Sequence, residues 1–204
     1  MWVTPKRSHP GAFTLIELLV AVGIIALLAA LLLPSLGSAK AQGKRANCIS
    51  NLQQIEAATQ MYVYDHGIYP PAWIDSQTLW MELVNPYISE HSRVFLCPAD
   101  LRRIAVDWDT NIFLSYGMNV FNFAGADTCF WYGVKEGLVR FPARTIIYAD
   151  CTPGDYWCGS GSSFTNPVPY VDYRHTDKSF VAAYCDDHVQ SKTITTKAEW
   201  DASE

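Results

Sequence analysis

Phe13-Thr14-Leu15-Ile16-Glu17 opens a stretch that continues LLVAVGIIALLAALLL from Leu18 to Leu33, sixteen residues without a polar side chain. From Phe13 to Leu33 this makes about 31 Å of helix at about 1.5 Å per residue, enough to cross a hydrocarbon core of about 30 Å. Lys6 and Arg7 precede it as a short basic flank that stays on the cytoplasmic side. A secretory signal peptide cut near Gly37-Ser38-Ala39 and an uncleaved anchor both fit that outline. Glu17 fits neither: a lone carboxylate in the apolar segment costs about 2–3 kcal/mol near the bilayer centre, and neither outline gives it a partner.

The ten residues Gly11-Ala12-Phe13-Thr14-Leu15-Ile16-Glu17-Leu18-Leu19-Val20 resemble the type IV pilin and type II secretion pseudopilin signature. The resemblance implies a prepilin peptidase that cuts on the cytoplasmic side, before the apolar helix, and N-methylates the new first residue. The cut then falls between Ala12 and Phe13, and Phe13 is the methylated residue. The family usually has Gly before the cut, and this chain has Ala12; a cut after Gly11 restores Gly but moves Glu17 one place from the new amine. Pro34, twenty-one residues after Phe13, matches a position where helices of this family leave the membrane or partly unwind. In a staggered stack of parallel helices, Glu17 of one subunit meets the Phe13 amine of the next. Such a pair offsets two desolvation costs and sets axial register.

After Pro34 the helix continues. Cys48, Leu52, Ile55, Thr59 and Tyr62 recur in steps of four, three, four and three, one face of an amphipathic helix. Gly67 and Pro70-Pro71 end it. Expected downstream are a short helical piece over 79–84, a turn at Cys97-Pro98-Ala99-Asp100, and an extended segment at 115–119. The clearest strand is 145–150, and residues 152–169 are expected to form an exposed Gly/Ser/Thr/Pro-rich loop. A hairpin over 179–191 turns at Asp186-Asp187. The fold expected is α+β: a long N-terminal helix, its hydrophobic half protruding, packed on a small antiparallel sheet, pilin-like. Its parts are a leader over 1–12, a transmembrane and assembly helix over 13–34, an amphipathic continuation over 35–66 and a globular head over 67–204.

The head carries a second resemblance. Cys48, Asn51, Leu52, Cys97, Asp100, Tyr116, Asn119, Arg174, His175, Asp186, His188 and Val189 stand in an order similar to a set of pilin-like proteins of planctomycete and verrucomicrobial bacteria. Asp186-Asp187 departs from the usual Asp-Gly turn, and the gap from His175 to Asp186 is one residue longer than that pattern. Six cysteines leave the pairing open. The resemblance implies Cys48 with Cys97; Cys151 and Cys158 bracket a Gly-rich loop as a local pair, which leaves Cys129 with Cys185. Zinc is not expected, because no Cys-x-x-Cys occurs. No cofactor is expected; calcium, which related pseudopilins carry, is the most plausible metal, with Asp150, Asp186 and Asp187 as candidate oxygen ligands. Asp is also favoured in hairpin turns for conformational reasons alone.

The chain has 15 Lys+Arg against 20 Asp+Glu, and loss of Lys6 and Arg7 with the leader deepens the net charge from −5 to −7. That balance argues against a general nucleic-acid binder. No nucleophile motif such as Gly-x-Ser-x-Gly occurs, so an enzyme is not expected. The partners implied are other pilin-like subunits and copies of itself, the prepilin peptidase, an inner-membrane assembly platform and membrane lipid. The implied location is the inner membrane, single-pass with a periplasmic head, then a pseudopilus or cell-surface filament. A competing reading is a membrane-anchored extracytoplasmic binding module that uses the signal for export only. It would grip a glycan or secreted substrate through exposed aromatic residues such as Trp131, Tyr132 and Trp157.

Overall fold

A computed structural model describes residues 14–75, 78–88, 93–106 and 109–203. The backbone falls into two compact units, the first ending at Lys40 and the second running Ala41–Glu204. The expected cut site Ala12/Phe13 and the basic flank Lys6 and Arg7 lie outside the described residues.

Helix α1 spans Leu15–His66. In the first unit every described residue is exposed, including Leu19, Ile25, Leu31 and Leu33. Helical backbone runs through Pro34, so the unwinding suggested by the family resemblance does not occur here. Proline removes one backbone donor, and the Ser35 hydroxyl donates to the Leu32 carbonyl at 2.8 Å in the same turn. In the second unit α1 buries Cys48, Leu52, Ile55, Glu56, Ala58, Thr59, Tyr62 and Val63. These include the whole apolar stripe visible in the sequence, and each large aliphatic on it contributes about 1.5–3 kcal/mol by burial. Gly67 ends the helix with φ +72° and donates its amide to the Val63 carbonyl at 2.7 Å.

The strands are β1 (Trp73–Asp75), β2 (Thr78–Leu79), β3 (Ala105–Val106), β4 (Asp109–Phe113), β5 (Tyr116–Phe121), β6 (Ile146–Asp150), β7 (Trp157–Gly161), β8 (Phe180–Tyr184) and β9 (Val189–Lys192). Short helix α2 (Trp80–Val84) follows β2, its start held by the Glu82 carboxylate accepting from the Leu79 amide at 3.0 Å. The main sheet has the order β7-β5-β6-β8-β9; β1–β2 and β3–β4 are separate two-stranded ribbons. β8 shows how the sheet is covered. Val181, Ala183 and Cys185 join the core shared with Leu52 and Ile55 of α1, while Phe180, Ala182 and Tyr184 face a second core around Trp200 and Val168. Strict alternation between two apolar layers explains why this segment has no polar face.

Two expectations need correction. The supposed loop 152–169 contains strand β7, and it pairs parallel to β5, so the sheet is mixed and not purely antiparallel. The Gly-rich composition hid it. A Cβ on Gly117 of β5 would come within 2.6 Å of the Trp157 backbone, so only Gly lets the edge strand approach. Gly159 takes φ +68° where the register shifts between Asn119 and Val120. The β8–β9 hairpin forms as expected. Asp187 takes the left-handed turn position with φ +74°, doing in strained form what Gly does in the related pattern.

Candidate functional site

Among the described residues of the first unit, Glu17 is the one charged group on α1 before Lys40. Glu17 accepts from the Thr14 amide at 2.9 Å and the Thr14 hydroxyl at 2.7 Å, and the Glu17 amide donates back to the Thr14 hydroxyl oxygen at 3.3 Å. This is a reciprocal cap: Thr14 stands just before the helix and Glu17 is the third residue inside it. The carboxylate therefore has a partner in its own chain, which the sequence reading had not given it. The signal was present as Thr-x-x-Glu directly before an apolar run. An acid in the first turn also complements the positive end of the helix dipole.

In the second unit, residues from five distant stretches meet beside one disulfide. Cys48 of α1 and Cys97 are bonded, with Cα atoms 5.1 Å apart. Asn51, one turn along, donates to the Leu96 carbonyl at 3.0 Å, and the Tyr116 hydroxyl reaches the Cys48 carbonyl at 3.5 Å. The Arg174 guanidinium, 5% exposed, pairs with Asp100 at 2.9 Å and Asp172 at 3.3 Å. It also donates to the Cys151 carbonyl. Ser115 donates to Asp100 at 2.9 Å. His175 stands with Nε2 3.0 Å from Asp150 Oδ2 and 3.8 Å from the Cys97 sulfur. Asp150 Oδ2 also accepts the Val181 amide at 2.7 Å, which fixes the carboxylate on the first residues of β8. Breaking any one buried member would strand its partner's charge, a loss of about 3–5 kcal/mol.

The other candidate residues fall elsewhere. Cys151 and Cys158 are free and buried. Cys151 follows β6 and Cys158 lies on β7, on opposite sides of β5 and opposite different residues of it, Ser115 and Asn119, so the two do not meet. Their thiols donate instead to the carbonyls of Asp155 and Gly117. Cys129 and Cys185 are also free; the Cys129 thiol donates to the Val120 carbonyl on β5, while Cys185 follows β8 and donates its amide to Thr145, with β6 between the two strands.

The three calcium candidates do not converge. Asp150 lies fully buried beside the start of β8, whereas Asp186 and Asp187 are exposed at its far end, about 16 Å away along the strand. Those residues do not fit a shared calcium ion. His188 instead stacks on Tyr184, with ring centroids 4.1 Å apart, and bonds Asp186. Of the aromatic candidates Tyr132 is exposed, while Trp131 and Trp157 are half-buried and form a row of edge-to-face rings with Trp73 and Tyr170.

Sequence reasoning missed Glu56, a fully buried carboxyl on α1. Gln60 donates to its Oε1 at 2.7 Å, and its Oε2 has no hydrogen-bond partner among the described residues. Burial pushes its pKa up to about 8, with the nearby Asp187 and Asp186 carboxylates adding to the rise. Its position, four residues after Leu52 and three before Thr59, places it on the buried stripe, but its residue type pointed to water.

Comparison with known proteins bears on both units. The prokaryotic N-terminal methylation motif matches residues 7–33. Over 102 residues the chain is 28% identical to the type II secretion system core protein G of Klebsiella michiganensis, covering 50% of this chain and 70% of that protein. The protein of the same name from Pectobacterium carotovorum subsp. carotovorum is 30% identical over 100 residues, 48% of this chain and 62% of its own length. That of Klebsiella pneumoniae is 32% identical over 95 residues, 47% of this chain and 66% of its own. The matches thus span about half of this chain and about two thirds of those relatives. No solved structure matches the chain at comparable significance.

Proposed function

We propose that this chain, pilin- and pseudopilin-like in sequence and carrying one helix apolar and long enough to anchor it in a membrane, is a structural subunit of a type II secretion pseudopilus or type IV pilus-like filament. The observation that carries the proposal is the first unit itself: an exposed apolar helix with a single acid in its first turn, inside a match to the methylation motif. A prepilin peptidase cuts between Ala12 and Phe13 and methylates the Phe13 amine. Before assembly the carboxylate of Glu17 is held by Thr14, which keeps the acid tolerable in the membrane. On assembly it turns to the amine of a neighbouring copy. The apolar faces pack together, and the buried pair decides the axial offset. The inner-membrane platform supplies the subunits, the head lies in the periplasm, and no chemistry is performed. The relatives are named as core proteins of a secretion system, which favours assembly over the export-only binding module.

The test is in vivo cross-linking with mass analysis of the mature N-terminus. Ladders of this chain, abolished by Glu17→Ala, with an N-methylated Phe13 end, are the expected result. A mature chain that begins after Ala39, or ladders that survive Glu17→Ala unchanged, would overturn the proposal.

A further inference from the structure

We infer that the corner formed by Cys48, Cys97 and His175 is a redox-gated binding site for one thiophilic divalent cation of the zinc class. Closed as a disulfide it holds no ion; opened by a thiol reductant it offers two thiolates and an imidazole. The three donor atoms already lie within 4.8 Å of one another, and all three residues are buried. Among the described residues no other trio of His, Cys, Asp or Glu donors comes together in this way. A tetrahedral zinc ion with bonds of about 2.3 Å to sulfur and about 2.0–2.1 Å to nitrogen separates those two donors by about 3.5 Å. The observed Cys97 sulfur to His175 Nε2 distance is 3.8 Å. Little rearrangement beyond parting the sulfurs is required.

A buried carboxylate borders the same corner. Asp150 is fully buried, its Oδ2 lies 3.0 Å from His175 Nε2, and its Oδ1 has no hydrogen-bond partner among the described residues. Because Oδ2 faces the ligating nitrogen itself, Asp150 can join the ion only as an oxygen ligand in the fourth tetrahedral position, after a shift toward the sulfurs; otherwise water takes that position. Arg174 Nε, 3.9 Å from Asp150, helps balance the added negative charge.

The chemistry closes. A dithiol reductant donates two electrons and two protons to the Cys48–Cys97 bond, giving two thiols and the reductant's own disulfide. The cation then displaces two thiol protons and forms two metal–sulfur bonds. Both states tie α1 to the turn at Cys97, so the head keeps its latch whichever closes it. The site was not legible as a motif, because its ligands are 49 and 78 residues apart in the chain.

Cobalt(II) is the probe, titrated without oxygen into the full-length chain in detergent micelles. The reduced wild type is expected to take up one equivalent with intense sulfur-to-cobalt absorption that zinc(II) bleaches. The oxidised wild type keeps Cys129, Cys151, Cys158 and Cys185 free, so it reports any binding by those thiols and is expected to show none. His175→Gln should abolish the tetrahedral spectrum, and Asp150→Asn should weaken binding about tenfold. Near-UV circular dichroism checks that each variant is folded, and Cys48→Ser replaces His175→Gln if that variant is not. Equal cobalt uptake by reduced and oxidised wild type, or undiminished uptake in a folded His175→Gln or Cys48→Ser chain, overturns the inference.

Discussion

Glu56→Gln should make the head more stable at alkaline pH and change it little at acid pH. The folded protein holds the Glu56 proton to about pH 8, against about 4.5 for an ordinary glutamate. The folded state therefore binds more protons than the unfolded state between those values, and stability must fall as pH rises through that window. At about 1.36 kcal/mol per pKa unit, a shift of this size is worth up to about 5 kcal/mol once pH exceeds 8. The amide keeps an oxygen to accept from Gln60 but cannot ionise, so it removes this loss. The groups facing the site are Asp186, Asp187, Gln60, Tyr69, Tyr148 and Cys185, and none of them is altered. Urea midpoints of the full chain in micelles, measured at pH 5 and pH 9, give the comparison. The wild type should lose several kcal/mol more than Glu56→Gln between the two values. The same pH dependence in both proteins would show that Glu56 is not desolvated and refute the reasoning.

Replacing both Cys48 and Cys97 with Ser removes a cross-link over 49 residues and should cost about 4 kcal/mol, read as a lowered melting temperature in calorimetry. Gly117→Ala drives a Cβ into the Trp157 backbone and the Cys151 side chain, so it should destabilise by about 1–3 kcal/mol and expose β7 amides to hydrogen exchange. Asp187→Gly relieves a left-handed backbone at the β8–β9 turn and should stabilise by up to about 1 kcal/mol in urea unfolding.

What could be seen in the sequence was whatever depends on spacing along one element. The α1 stripe, its Gly67 stop and the β8–β9 turn are local patterns, and local patterns suffice because a helix face or a hairpin is built from neighbours. β7 was lost because its strand character comes from a gap in another strand: Gly117 makes room, and of β7's own residues only Trp157 favours a strand, beside two glycines. The two failed disulfides show the same thing. Cys151 and Cys158 are seven residues apart in sequence, but the chain between them crosses to the other side of β5. Glu56 was passed over because its carboxyl suggested water, although its spacing from Leu52 and Thr59 puts it on the buried face.

The ion-paired corner explains why the scattered motif of the head is scattered. Cys48, Asn51, Cys97, Asp100, Tyr116, Arg174 and His175 come from the helix, a turn, a strand and the stretch before β8, and each contacts at least one of the others or the backbone beside it. A head whose two ribbons are only two to five residues long per strand has little sheet with which to fix the segment after α1. A buried guanidinium held between carboxylates, next to a covalent link, supplies that fixity in directional form, since a displaced partner leaves a desolvated charge behind. On the proposed function this matters mechanically. A subunit drawn into a filament by its stem transmits load into the head along α1, and Cys48 and Asn51 are the first of the α1 residues, followed by Thr59, Gln60 and Asp65, that fasten it to the rest of the head by bonds more specific than apolar contact.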